Sequence, residues 1–209
     1  MVPGSRMLVL MALPVVIAAA IVLLVGRTEF RALLSLRLRV LWLMWAAAAI
    51  QFLRVTDPEW AAWLLLPLGG VWTILLTWTF AVAFCVVNLA TIPPRARLAM
   101  AVLVIGFSMN SLTMAVNHGM PFSPDSARVA GFSEQEIATP VPGKHPQDSD
   151  TSLMIISDVV PVPGLQKVLS VGDILMLLGL TWLLVRLLSK DQEEDHRVSQ
   201  LQPVADRWE

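Results

Sequence analysis

Charge is what this sequence has least of. Asp, Glu, Lys and Arg make up 15% of its 209 residues, against about a quarter in soluble domains. That deficit points to lipid rather than water as the solvent. The formal net charge of -1 leaves no basic footprint for nucleic acid. A single cysteine, Cys85, sits in an apolar run, which excludes an intramolecular disulfide framework and a cysteine metal cluster and suits a small core residue. The three histidines, His118, His145 and His196, are scattered without metal-ligand spacing. No metal or other cofactor is expected, and paired intramembrane histidines for a haem are lacking. Phosphate-cradling loops, nucleophile elbows and kinase signatures are missing too, as is any internal repeat.

What the chain has in abundance is apolar length: 56% of it is hydrophobic and the mean hydropathy is +0.68. Five runs stand out against the ~20 residues that cross a bilayer. The first, residues 7–25, follows Arg6 like a signal peptide. It continues through Ile21 and Val25 beyond the ~7–15 residues of a cleaved core, so it reads as a retained helix. The second covers 40–55, with Arg37 and Arg39 placed to snorkel at its start. Asp57, Pro58 and Glu59 then form a helix start. The stretch 60–90 is too long for one straight crossing, and Pro67, Gly69 and Gly70 mark a bend. A fourth run spans 98–116 and a fifth 171–188.

Cationic residues set the orientation. Arg27, Arg31, Arg37 and Arg39 lie between the first two runs, Arg95 and Arg97 between the third and fourth, and Arg186 and Lys190 after the fifth. Five crossings put all three clusters on one side. The expected fold is therefore an all-α, multi-pass membrane domain over 1–190, N-terminus out and C-terminus in. A polar tail, 191–209, is expected to be disordered in the cytoplasm.

Residues 117–170 form an outer connector too long for a structureless loop. Ser123, Pro124 and Asp125 open a short helix that Gly131 closes, and Ser133 with Glu136 makes a capping box. Residues 139–146 should be extended and proline-stiffened. Leu153, Met154, Ile155 and Ile156, within 149–160, suggest an interfacial or protein-buried helix stopped by Pro161 and Pro163. The connector as a whole should pack as a partly helical lid.

Polar groups at membrane depth are candidate functional residues. Asn110 and Asn117 are seven apart and share a helix face; such amides either join helices or line a ligand path. Asn117, His118 and Gly119 also read as a helix end, with Gly119 in the left-handed position. Asp158 and Asp173 invite a shared-proton reading. The competing reading is that Ser170 caps the fifth helix with Asp173 as the third residue of a capping box. The Gly-x-Gly-Asp element of intramembrane aspartyl proteases is similar to Ser170-Val171-Gly172-Asp173, except that Ser170 stands where glycine belongs.

Taken in order, Gly106 to Asn110, Asn117 to Pro121, Lys144 and His145, Thr151, Ser157 and Asp158, Pro161 to Pro163, and Val168 to Asp173 resemble a bacterial integral membrane family, domain of unknown function 5317. Leu36 to Arg39 fits as well, and the likeness runs to about Leu188. His118 departs from the pattern, where glycine is usual. The resemblance implies a multi-pass protein of the bacterial cytoplasmic membrane and carries no assigned activity. The leading expectation is a non-enzymatic binding or accessory protein with an outer-face site of Asn110, Asn117, His118, Asp158 and Asp173. Its partners would be the bilayer and a lipid, ligand, membrane protein or second copy. The alternatives are a small oligomeric transporter or proton-linked carrier and an intramembrane aspartyl hydrolase.

Overall fold

A computed structural model describes residues 16–21, 23, 38–56, 59–65, 70–139, 141 and 143–188. Most of the first apolar run, Asp57 and Pro58, and the tail from residue 189 onward lie outside the described residues.

Helix α1 is Leu41–Thr56. Pro67 and Gly69, where a bend is expected, lie outside the described residues, and separate elements stand on either side of them. A 3-10 turn, Glu59–Ala61, leads into the short α2, Ala62–Leu65, and α3 then runs Val71–Asn88. Gly70 precedes α3 at φ 81, a left-handed value that glycine adopts at little cost. α4 is Pro94–Val116 and begins about a turn before the expected start, because Pro94 takes the first-turn position where its missing N–H costs nothing. α7, Val171–Leu188, has the expected bounds.

Three of these helices, α3, α4 and α7, are long and apolar enough to cross a membrane. Only 28%, 28% and 22% of their apolar windows are buried within the chain. Leu112, Ile105 and Leu178 each stay more than half exposed. Contiguous apolar surface of that extent is foreign to water-soluble monomers.

α4 and α7 pack antiparallel at glycines. A Cβ on Gly106 would lie 2.6 Å from the Gly172 carbonyl oxygen, and one on Gly179 would lie 2.7 Å from the Leu103 amide. At the far end Arg95 Nε donates to the Arg186 carbonyl at 3.1 Å. Such close approach is how helices gain contact when burial of apolar surface no longer drives them together. α3 joins the pair through Trp78 Nε1, which donates to Ser108 Oγ at 2.9 Å. Cys85, Ile92, Ala96, Met100 and Leu187 close the end of the bundle remote from the connector. There Asn88, fully buried, receives the Arg39 N–H (2.7 Å) and donates to the Arg39 carbonyl (3.0 Å). Its amide thus pairs with the chain entering α1 as a neighbouring strand would.

The connector corrects the all-α expectation. Its two short helices are as expected: α5, Pro124–Val129, capped by Ser123, and α6, Glu134–Ala138, with the Ser133–Glu136 capping box. Gly131 turns the chain between them at φ 94. Around them lies a four-stranded sheet, ordered β2-β1-β3-β4. Its strands are β1 Met120–Phe122, β2 Lys144–Pro146, β3 Asp158–Val162 and β4 Lys167–Ser170. β1 runs parallel to β2 and β3, while β3 and β4 are antiparallel.

The helix expected within 149–160 is absent. Only a 3-10 turn, Met154–Ile156, stands there before β3. Val159, Val160 and Val162 are β-branched and favour a pleated, half-buried surface. Pro161 lacks the N–H that a helix interior needs. The 3-10 turn Pro163–Leu165, with Gln166 at φ 49, reverses the chain into β4.

Candidate functional site

The sheet is fastened to the helices where β4 becomes α7. Ser170, fully buried, ends β4 and caps α7: its Oγ accepts from the Asp173 N–H at 2.8 Å, and its own N–H donates to Asp173 Oδ2 at 3.1 Å. This reciprocal pair satisfies two helix-terminal donors and sets a carboxylate against the positive end of the helix. Asn110 of α4 completes the set. Its Nδ2 donates to Asp173 Oδ1 at 2.6 Å, and its Oδ1 accepts from Ser170 Oγ at 2.7 Å. Asn110 therefore acts as a helix-to-helix joint, and Asp173 is a cap and a joint together.

Asn117, the C-cap of α4, makes a second joint. Its Nδ2 donates to the Thr113 carbonyl (2.8 Å) and the Ser152 carbonyl (3.0 Å), and its Oδ1 accepts from the Ser152 N–H (2.9 Å). The device matches that of Asn88: one side-chain amide reads both backbone groups of a distant residue. Its main-chain carbonyl meets Nε2 of His145 at 3.1 Å. Thr151 is likewise structural, its hydroxyl donating to Asp148 Oδ1 at 2.8 Å in the turn before the clamp.

The left-handed residue after α4 is His118, at φ 57, and not Gly119. Gly119 is glycine for a different reason: a Cβ there would sit 3.1 Å from the Gly143 carbonyl oxygen, which accepts from the Met120 N–H. His118 itself is exposed. A non-glycine residue in this conformation carries a steric cost, so His118→Gly should stabilise the protein by about 1 kcal/mol. A rise in the detergent melting temperature of a few degrees, with membrane insertion unchanged, is the expected readout; a fall would show that the imidazole makes a contact of its own.

Asp158 is buried to 1% exposure at the start of β3, where Cα pairing sets it beside Phe122 and Ser170. Lys144 reaches over β1 from β2, and its Nζ lies 2.5 Å from Asp158 Oδ2. Burial pushes the Asp158 carboxyl above the ordinary aspartate range, while Lys144 pulls it back. Next to it, buried Ser157 accepts from Gln147 Nε2 at 2.6 Å.

Asp158 and Asp173 sit close enough for the charge of the second to raise the first. No hydrogen bond joins their carboxyls among the described residues. One is held by Lys144 and the other by Asn110 and Ser170, which is not the arrangement of a shared-proton dyad. No cluster of three or more metal-ligating side chains occurs among the described residues.

Beneath Asp173 an apolar groove of about 490 Å³ opens among α1, α3, α4 and α7. Phe84, Met100, Phe107, Met176 and Leu180 contribute to its walls, and Asp173 is the one charged residue among them. The structure thus brings Asn110, Ser170 and Asp173 into one cluster, places Asp158 in the adjoining sheet, and leaves Asn117 and His118 at the end of α4. Asn88, the groove and the pairing of Lys144 with Asp158 escaped the sequence reading. Only Asn88 gave a local signal, as an amide closing an apolar run.

A family model described as a family of unknown function (DUF5317) matches residues 35–185. The chain belongs to that family. The DUF5317 match takes in the sheet, both asparagine clamps and the Asn110–Ser170–Asp173 cluster. No curated protein and no solved structure matches the chain.

Proposed function

We propose that this DUF5317 protein is a non-enzymatic, multi-pass protein of the bacterial cytoplasmic membrane that binds an amphipathic molecule of the bilayer. Five crossings would put the connector outside and the tail inside. The observation that carries the reading is the groove with Asp173 in its wall. Its volume falls within the ~300–1,000 Å³ usual for ligand sites. Along α7 it extends from Asp173 to Leu183, ten residues or about 15 Å of helix. That suits an acyl or isoprenoid chain lying along the bundle.

Asp173 gives the ligand an end. Each carboxylate oxygen accepts one hydrogen bond, from Asn110 or from Ser170, and a carboxylate offers about four acceptor sites in all. A hydroxyl or amine headgroup would fill those that remain. Because the same carboxylate caps α7 and holds Asn110, occupancy of the groove and seating of the connector act on one group.

Native mass spectrometry of protein extracted in mild detergent tests this reading. A single class of amphiphile enriched over bulk lipid is expected. Leu180→Trp, which fills the groove, should abolish the enrichment while the melting temperature stays within a few degrees. Lipid in bulk proportions, unchanged by the substitution, would defeat the reading.

A further inference from the structure

The turn between the Asn117 clamp and β3 carries an apolar tip that the connector itself does not cover. Leu153, Met154 and Ile155 are 41%, 39% and 83% exposed. Leu153 takes φ 58 to begin the turn, an unfavourable value for a branched side chain. Both ends of the tip are fixed. Ser152 is bonded in both directions to Asn117, and Ser157 donates to the Met154 carbonyl at 2.7 Å while Gln147 Nε2 donates to the same oxygen at 3.2 Å. A strained turn held at both ends, with Ile155 its most exposed side chain, is a presented surface.

Its position identifies the partner. The clamp sets the tip beside the last turn of α4, a helix apolar and long enough to span, and the turn packs against both α4 and α7. Val116 and Leu112, on the same final turns of α4, are 48% and 54% exposed. The apolar tip therefore continues the outward-facing belt of the helix. Trp60 and Trp63, 70% and 75% exposed, precede α3, which runs antiparallel to α4, since Trp78 meets Ser108 while Cys85, further along α3, packs with Met100 and Ala96, nearer the start of α4. The two tryptophans occupy the same end of the bundle, where indole rings favour the membrane interface. Asp148 and Asp150 flank the tip and argue against attraction to anionic headgroups, so the contact is with hydrocarbon.

We infer that residues 153–156 dip into the adjacent leaflet and hold the connector's sheet down on the bilayer. The inference rests on α3, α4 and α7 crossing the membrane, but does not depend on the groove having a ligand.

The test uses phosphatidylcholine proteoliposomes and single cysteines on a Cys85→Ala background, labelled with an environment-sensitive fluorophore. Ile155→Cys reports the tip, Ile105→Cys the middle of α4, and Val129→Cys the exposed face of α5. Ile155 should give blue-shifted emission, quenched several-fold more by shallow nitroxide lipids than by iodide, and Val129 the reverse. Quenching of Ile155 by iodide alone overturns the inference. Protection from both quenchers also overturns it, since a protein surface then covers the tip. Lipid quenching at Ile105 confirms the crossing in either case; its loss there would mean that the membrane reading itself had failed.

Discussion

Lys144→Met should loosen the connector's sheet at neutral pH and regain protection as the pH is lowered. The substitution keeps the length of the side chain across β1 and removes its charge. Asp158, 1% exposed, is then left ionised in the interior with no counter-ion. Removing one partner of a buried pair costs about 3–5 kcal/mol. Lys144 is itself 47% exposed, so solvent screening brings the expected loss to about 2 kcal/mol. Hydrogen exchange should report it at the Ser123 N–H, which donates to the Asp158 carbonyl at 2.8 Å, and along β1 and β3.

The pH dependence follows from the direction of the shift. Burial raises the folded-state pKa of Asp158, and loss of Lys144 removes the main influence opposing that rise. A carboxyl with a raised folded pKa binds its proton more readily folded than unfolded. Stability therefore increases as pH falls through the folded value, and levels off below the unfolded value of about 3.9. Asp148, bonded to the Thr151 hydroxyl, and Glu134, bonded to Arg128, have lowered pKa values. Their contributions are lost on further acidification, which bounds the protective window near pH 4 from below. The neutral pair Lys144→Met with Asp158→Asn should recover most of the loss at pH 7, because the uncompensated charge is gone. Lower protection of the single variant at pH 5 than at pH 7 would show that the buried charge is not the cause.

This pair also marks where the sequence stopped being legible. Ser133–Glu136 and Ser170–Asp173 were readable because a capping box is written within four residues. The start of α7 followed from such local chemistry, whereas at the end of α4 the left-handed position fell on His118 and not on the glycine beside it. Lys144 and Asp158 are brought together by β1, a three-residue strand whose pairings come from outside its own neighbourhood. Strands this short carry little periodicity, and the apolar residues 153–156 look the same before a strand as inside a helix. Pro161 correctly announced an interruption without saying what followed it. Asn110 and Asn117 were recognisable as polar groups at depth, but their partners, Ser170 and Ser152, lie in segments that only the fold brings to them. The groove had no signature at all, since it is a gap left between helices that are apolar on every side.

The largest effect should come from the smallest change, Gly172→Ala. A Cβ at this position would lie 2.1 Å from Asn110 Oδ1, 2.7 Å from Asn110 Cγ and 2.6 Å from the Gly106 carbonyl oxygen. The Asn110 amide can rotate away only by giving up its bonds to Asp173 and Ser170. The Gly106 oxygen belongs to the α4 backbone and can retreat only if the two helices part. Overpacking by one methyl group commonly costs about 1–3 kcal/mol. Here the loss of two interhelical hydrogen bonds, each worth about 1 kcal/mol, comes on top, so a destabilisation of about 3–5 kcal/mol is expected. Thermal unfolding in detergent should register it. Adding Asn110→Ala removes two of the three obstructing atoms but leaves the Gly106 carbonyl, so rescue should be partial. Gly131→Ala provides a measure of backbone strain alone, having φ 94 and open space where a Cβ would stand, and should cost about 1 kcal/mol. Gly164→Ala, with neither obstruction nor a positive φ, should be nearly neutral. If Gly172→Ala behaved like Gly164→Ala, α4 and α7 could not be packed as closely as these contacts require, and the cluster that seats the connector would have to be drawn differently.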